Sequence, residues 1–158
     1  MTNIIFHLCC PFSIPVEDSP FIVKLTTRML ANQGHAVESA PNGSAGLDRL
    51  RAVFGTRDDF DLVLCDFQMP IMDGFECVRR YRQFERSGGR CEASVSATLA
   101  SSVDASPDVD PRPDMVIVGM SANSDLGSQA LAEQAGMDAF LPKPFSGAEL
   151  QRILALFG

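Results

Sequence analysis

Leu62-Val63-Leu64-Cys65 is an unbroken apolar run that ends in an acid, Asp66. A strand with one wet face alternates apolar and polar residues, whereas a continuous run belongs to a strand covered on both faces, the habit of parallel sheets. Met115 to Met120 is a second run of this kind, and Phe12 to Val16, ahead of Glu17-Asp18, is a shorter apolar stretch interrupted by Ser13 and Pro15. The stretches between have helical spacing instead. Ser19-Pro20 reads as an N-cap with proline at the first helical position, and Ile22, Leu25, Met29 and Leu30 follow before Gly34 stops the helix. His35 to Ala40 reads as a strand closed by the turn Pro41-Asn42-Gly43. Ser44 then caps a helix to about Phe54, with Leu47, Leu50 and Phe54 on one face. A loop from Phe67 to Gly74 leads into a helix from about Phe75 to Glu85, and another helix runs from about Leu126 to Gln134, ended by Gly136. Phe140-Leu141 forms a short fifth strand. Ser146-Gly147-Ala148-Glu149 is a capping box opening a last helix with Leu150, Ile153, Leu154 and Phe157 on its core side. Five strands alternating with five helices predict an α/β domain with a parallel sheet.

Length and charge narrow the function classes. At 158 residues the chain is one domain, large enough to bury a core without staples. With 13 Lys+Arg against 20 Asp+Glu the net charge is −7, which argues against binding to a nucleic-acid backbone. No apolar run approaches the roughly 18–20 residues of a membrane span. The cysteine count is odd, at 5, with no CxxC pair, so neither a disulfide framework nor a zinc site is expected. Scattered thiols and an N-terminus without an early Lys or Arg point to the cytoplasm. Residues 1–11 read as a leader of unclear structure and 12–158 as the domain. Within it, 87–113 is rich in serine and proline and reads as a long flexible insertion between the third helix and the fourth strand.

In an open parallel sheet ligands bind beyond the carboxyl ends of the strands. Those ends carry Glu17 and Asp18, then Asp66, Ser121 and Lys143. Three carboxylates in one small pocket repel one another, and a hard divalent cation such as Mg²⁺ is the simplest compensation. Three acids, one divalent cation and one ammonium sum to zero charge, an arrangement suited to a phosphoryl group. An aspartate can accept phosphate as an acyl phosphate, and Ser121 can donate a hydrogen bond to it. Taken singly, each residue has a plainer reading: a cap or solvated loop acid, a surface lysine, a turn serine. The coincidence at successive strand ends is what favours chemistry.

These residues resemble the receiver domain of two-component response regulators. The matching pieces are Val16-Glu17-Asp18-Ser19-Pro20, Asp61 to Gly74 with its DFQMPIMDG wording, Met120-Ser121-Ala122-Asn123, and Ala135 to Phe145 with its AGMDAFLPKPF wording. The last two wordings resemble receivers attached to hybrid histidine kinases. The resemblance implies a doubly wound, flavodoxin-like sheet in the order 2-1-3-4-5 with helices on both faces. It implies Asp66 as phosphoacceptor, Glu17, Asp18, Asp66 and the backbone carbonyl of Gln68 as Mg²⁺ ligands, and Lys143 on the phosphoryl oxygens before a cis bond to Pro144. Ser121 and Phe140 would be the switch pair, and Gln68 and Asn123 would tune phosphate lifetime. The implied partners are a histidine kinase or histidine phosphotransfer protein and a downstream protein on the face made by the fourth helix, fifth strand and fifth helix. Phe140 is equally well explained as core packing, and Met69, Met72 and Met120 as packing alone.

Two departures from the family pattern stand out. Pro15 lies in a strand that would be central, where proline removes a ladder donor, so either the first strand is short and distorted or the N-terminus is not the ancestral one, and the place of Glu17-Asp18 is set less firmly than that of Asp66. Residues 87–113 enter opposite the pocket and leave its chemistry intact. Two other function classes compete with phosphorelay signalling. A degenerate receiver would act as a phosphorylation-independent interaction module. A phosphatase with an aspartate nucleophile would need a proton donor at position 68, where this chain has Gln68.

Overall fold

A computed structural model describes residues 11–89, 115–123 and 126–157. The expectations for the leader 1–11 fall outside these residues except at Pro11, and those for 87–113 except at 87–89. The strands are β1 (Phe12–Val16), β2 (Ala36–Val37), β3 (Leu62–Asp66), β4 (Val116–Ser121) and β5 (Ala139–Pro142). The helices are α1 (Pro20–Asn32), α2 (Gly43–Val53), α3 (Gly74–Arg86), α4 (Leu126–Ala135) and α5 (Gly147–Leu154). All strand pairs are parallel, in the order β2-β1-β3-β4-β5. The expected doubly wound architecture is present.

Both faces of the sheet are covered, which is why β3 reads as a continuous apolar run. Val63 and Cys65 point into a core with Ile14, Val16, Ile117 and the α2–α3 side chains Leu47, Leu50, Val78 and Tyr81. Leu62 and Leu64 point the other way, with Val118, Met120, Leu30 of α1 and Leu150 of α5. Successive strand residues alternate faces, so each run feeds two cores.

Pro15 does not distort β1. The β1–β3 register runs unbroken from Ser13↔Leu62 to Val16↔Cys65. The physical reason is parity. Within a strand the N–H and C=O of one residue point to the same neighbour, and Pro15 points to β2: its carbonyl accepts from the Ala40 N–H at 3.0 Å. The carbonyl of Phe12, of opposite parity, accepts from Asp61 N–H on the β3 side. The missing donor therefore faces the stretch where β2 has already ended at Val37.

Several local expectations are corrected. The strand expected over 35–40 is only Ala36–Val37, followed by a single bridge between Val16 and Ala40. Asn42, not Ser44, caps α2, its side chain accepting from Ala45 N–H at 2.9 Å. Ser19 occupies the cap position of α1 but its side chain makes no cap bond. Leu25 is 37% exposed, so Thr26 takes the buried place in α1 instead, and α5 ends at Leu154, leaving Phe157 beyond it and 45% exposed. The capping box of α5 forms as read, between Ser146 and Glu149.

On the far edge of the sheet Arg82 of α3 acts as a clamp. Its guanidinium donates to the carbonyls of Gly136 (3.0 Å) and Met115 (3.1 Å) and pairs with Asp138 (2.7 Å) and Glu85 (2.9 Å). Met115 leads into β4 at the end of the sheet opposite Asp66, since Val116 pairs with Leu62 and Met120 with Asp66. The described flanks of the 87–113 segment thus sit away from the carboxyl ends of the strands.

Candidate functional site

The carboxyl ends of β1, β3, β4 and β5 meet at one edge. Glu17 and Asp18 follow β1, Asp66 ends β3, Ser121 ends β4, and Lys143 follows β5. Ligand oxygens of Glu17, Asp18 and Asp66 all lie within 4.8 Å of one another. Glu17 is 1% exposed and Asp66 6%, while Asp18 is exposed at the mouth. Lys143 Nζ donates to Glu17 Oε2 at 2.6 Å and pairs with Asp66 Oδ1 at 3.0 Å. Its backbone N–H donates to the Ser121 carbonyl at 2.7 Å, and its bond to Pro144 is cis.

Electrostatics follow from burial. Burial pushes the Glu17 carboxyl above its ordinary value, and the hydrogen bonds from Lys143 and from Ser19 N–H offset this only in part. Burial pulls the Lys143 ammonium down, but the bonds to Glu17 and Asp66 outweigh it and leave the group above its ordinary value. The lysine stays charged at neutral pH. Three carboxylates against one ammonium leave two negative charges, which one divalent cation balances. Mg²⁺ takes oxygen ligands at about 2.0–2.1 Å in an octahedron, so ligand oxygens across the ion stand about 4 Å apart. An all-oxygen donor set within 4.8 Å fits that size.

Of the residues singled out from the sequence, Glu17, Asp18, Asp66 and Lys143 are brought into contact range. Gln68 is exposed and its N–H reaches Asp66 Oδ1 at 3.4 Å. Ser121 is 5% exposed, one residue beyond the one that pairs with Asp66. Its Oγ accepts from the N–H of Asn123 at 3.0 Å, a bond that does not use the hydroxyl hydrogen. Phe140 is half-buried in β5. It stacks on Phe67, with ring centroids 5.6 Å apart, not on the carboxylates.

The sequence reading missed two contributors. One is the Ser19 N–H, which donates to Glu17 Oε1 at 3.1 Å from a residue read only as a cap. The other is Phe67. It opens a loop that also holds Met69, Ile71 and Met72, so its apolar character did not single it out, yet it is 3% exposed.

Comparison with known proteins agrees with this arrangement. The model of the response regulator receiver domain matches residues 14–105, which hold Glu17, Asp18, Asp66 and Gln68. Ser121, Phe140 and Lys143 lie beyond that match. Histidine kinase 5 of Arabidopsis thaliana is 29% identical over 91% of this chain, and hybrid signal transduction histidine kinase L of Dictyostelium discoideum 27% over 90%. The chain spans only 15% and 7% of the length of those two kinases. Among solved structures, the Vibrio cholerae chemotaxis protein CheY4 superposes with a TM-score of 0.70 at 21% identity, covering 95% of this chain and 100% of that one. The receiver domain of sensor histidine kinase PA1611 from Pseudomonas aeruginosa PAO1 was solved with a magnesium ion coordinated in its active site cleft. It superposes with a TM-score of 0.67 at 26% identity, covering 94% of this chain and 98% of that one. With the family match over more than half of its length and the five-stranded 2-1-3-4-5 sheet beneath it, this chain belongs to the response regulator receiver domain family.

Proposed function

We propose that this chain, with residues 12–158 forming the receiver and 87–113 an insertion in it, relays a signal by accepting a phosphoryl group on Asp66. The observation that carries the reading is the placement of Lys143 Nζ 3.0 Å from Asp66 Oδ1, with Glu17 and Asp18 beside it. A histidine kinase or histidine phosphotransfer protein presents a phosphohistidine. An Asp66 oxygen forms the new O–P bond as the N–P bond breaks, and the electron pair and a proton end on the departing imidazole. Glu17, Asp18, Asp66 and the carbonyl of Gln68 would hold Mg²⁺, which when bound would neutralise charge on the transferring oxygens. Lys143 stays protonated and stabilises the same charge. Ser121 turns its O–H to a phosphoryl oxygen, and Phe140 responds. Gln68 and Asn123, both exposed beside the pocket, set access for hydrolytic water.

The chain catalyses only its own phosphorylation and dephosphorylation, in the cytoplasm. No helix among the described residues is long and apolar enough to cross a membrane. Output goes to a protein docking on α4, β5 and α5, where Leu126 is 85% and Leu131 52% exposed. The regular β1 removes the proline argument for a degenerate, phosphorylation-independent module. Gln68 offers no proton for a phosphatase.

The test is incubation with a small-molecule phosphodonor such as acetyl phosphate. The expected result is Mg²⁺-dependent uptake of at most one phosphoryl group per chain, stable in acid, labile in alkali, and absent from Asp66→Asn. Labelling that persists in Asp66→Asn sinks the proposal, and rapid multiple turnover would assign a phosphatase instead.

A further inference from the structure

Phe67 shares a peptide bond with Asp66, and its main chain is tied on both sides. Its N–H donates to the Met120 carbonyl at 2.9 Å and its carbonyl accepts from Gly74 N–H at 3.1 Å. Its ring lies between Phe75 at the start of α3, with centroids 4.4 Å apart, and Phe140 in β5, at 5.6 Å. Both separations are those at which aromatic pairs attract beyond simple burial. Beneath the ring is Gly119, the residue that pairs in register with Phe140. A Cβ there would stand 2.3 Å from Phe67 Cε1 and 2.5 Å from Met137 Sδ. The space that a side chain on the β4 neighbour of Phe140 would take is thus filled by Phe67 and Met137. Among the described residues Phe67 is also the aromatic neighbour of Phe140.

We infer that Phe67 is a positioning residue that couples Asp66 to Phe140, so that a change at the carboxylate moves the β5 aromatic through ring contact. This rests on the reading of Asp66 as phosphoacceptor. A ring wedged between two others over a bare backbone cannot shift alone, because interiors are packed without slack. A displacement of the 66–68 main chain must therefore appear at Phe140.

The test uses the full chain with fluorophenylalanine at its 11 phenylalanines, the Phe140 resonance being assigned by its loss in Phe140→Leu. The probe is beryllofluoride with Mg²⁺, whose own bound ¹⁹F signal reports occupancy independently. In the wild type the Phe140 resonance shifts on binding. In Phe67→Leu the probe still binds, and the Phe140 shift falls to less than about half, because an aliphatic side chain fills the volume without the ring contact. Gly119→Ala, which leaves Phe67 in place but displaces its ring, loses the response in the same way. Phe84→Leu, a buried ring at the other end of α3, keeps it. An undiminished Phe140 shift in Phe67→Leu with the probe bound overturns the inference alone, as does an equal loss in Phe84→Leu. Failure of the wild type to bind the probe overturns the phosphoacceptor reading and this inference with it.

Discussion

Replacing Lys143 by methionine keeps most of the side chain's apolar length and removes its charge. Glu17 Oε2 then loses a donor at 2.6 Å and Asp66 Oδ1 one at 3.0 Å. Removing one partner of a buried ion pair costs about 3–5 kcal/mol. The Lys143 side chain is 16% exposed and water reaches the pocket mouth, which lowers the expectation to about 2–3 kcal/mol. In a domain of this size that is a fall in Tm of roughly 4–12 °C. The loss has a definite pH dependence. Burial already holds the Glu17 carboxyl above its ordinary value of 4.5, and the Lys143 hydrogen bond is the largest influence pulling it down. Without Lys143 it rises further. Between 4.5 and that raised value the native chain binds more protons than the unfolded one, so stability falls as pH rises through the window. The deficit of Lys143→Met is therefore smallest below the window and largest above it. Mg²⁺ replaces the missing positive charge, so it stabilises the variant more than the wild type. Urea unfolding across pH, with and without Mg²⁺, measures all three effects. A deficit that is constant with pH and indifferent to Mg²⁺ would refute the claim that the lysine neutralises these carboxylates.

Arg82→Ala leaves the Gly136 and Met115 carbonyls and Asp138 without their guanidinium partner, and is expected to cost about 2–4 kcal/mol in denaturant unfolding. Arg82→Lys recovers only a small part, because one ammonium cannot span the fork; full recovery by lysine would show that charge alone matters there. His35 sits with Nδ1 2.5 Å from Ser13 Oγ, and burial holds its imidazolium below the ordinary 6.5, with Asp61 opposing in part. The unfolded chain binds more protons between that lowered value and 6.5, so stability is full above 6.5 and falls as pH drops through the window. His35→Gln flattens this slope, and an unchanged pH profile in the variant would count against it.

The fold was legible where the pattern reports burial directly. β3 and β4 are covered on both faces, so their runs are continuous, and Asp66 marks the point where the apolar run meets the pocket. The site was legible because each acid, the serine and the lysine end a strand or follow one within two residues, and parallel strands bring such positions to one edge. What was hidden depends on direction or on distant partners. Pro15 is harmless because its parity faces β2, a fact fixed by pairing with Ala40 and Leu64 rather than by its own neighbours. Asn42 and Ser44 are both good caps, and only the backbone decides which begins the helix. The Glu17–Lys143 pair joins residues 126 apart. Phe67 looked like loop because the space that accepts it is made by Gly119, in a strand more than fifty residues away.

The central claim is that Asp66 itself carries the phosphoryl group. Treating the phosphodonor-labelled chain with borohydride reduces an acyl phosphate to the alcohol, and peptide mass spectrometry then reads the position. The account predicts conversion of Asp66 to homoserine, dependent on Mg²⁺, with Glu17 and Asp18 unaltered. Conversion at another residue, or none despite a labelled chain, would contradict it.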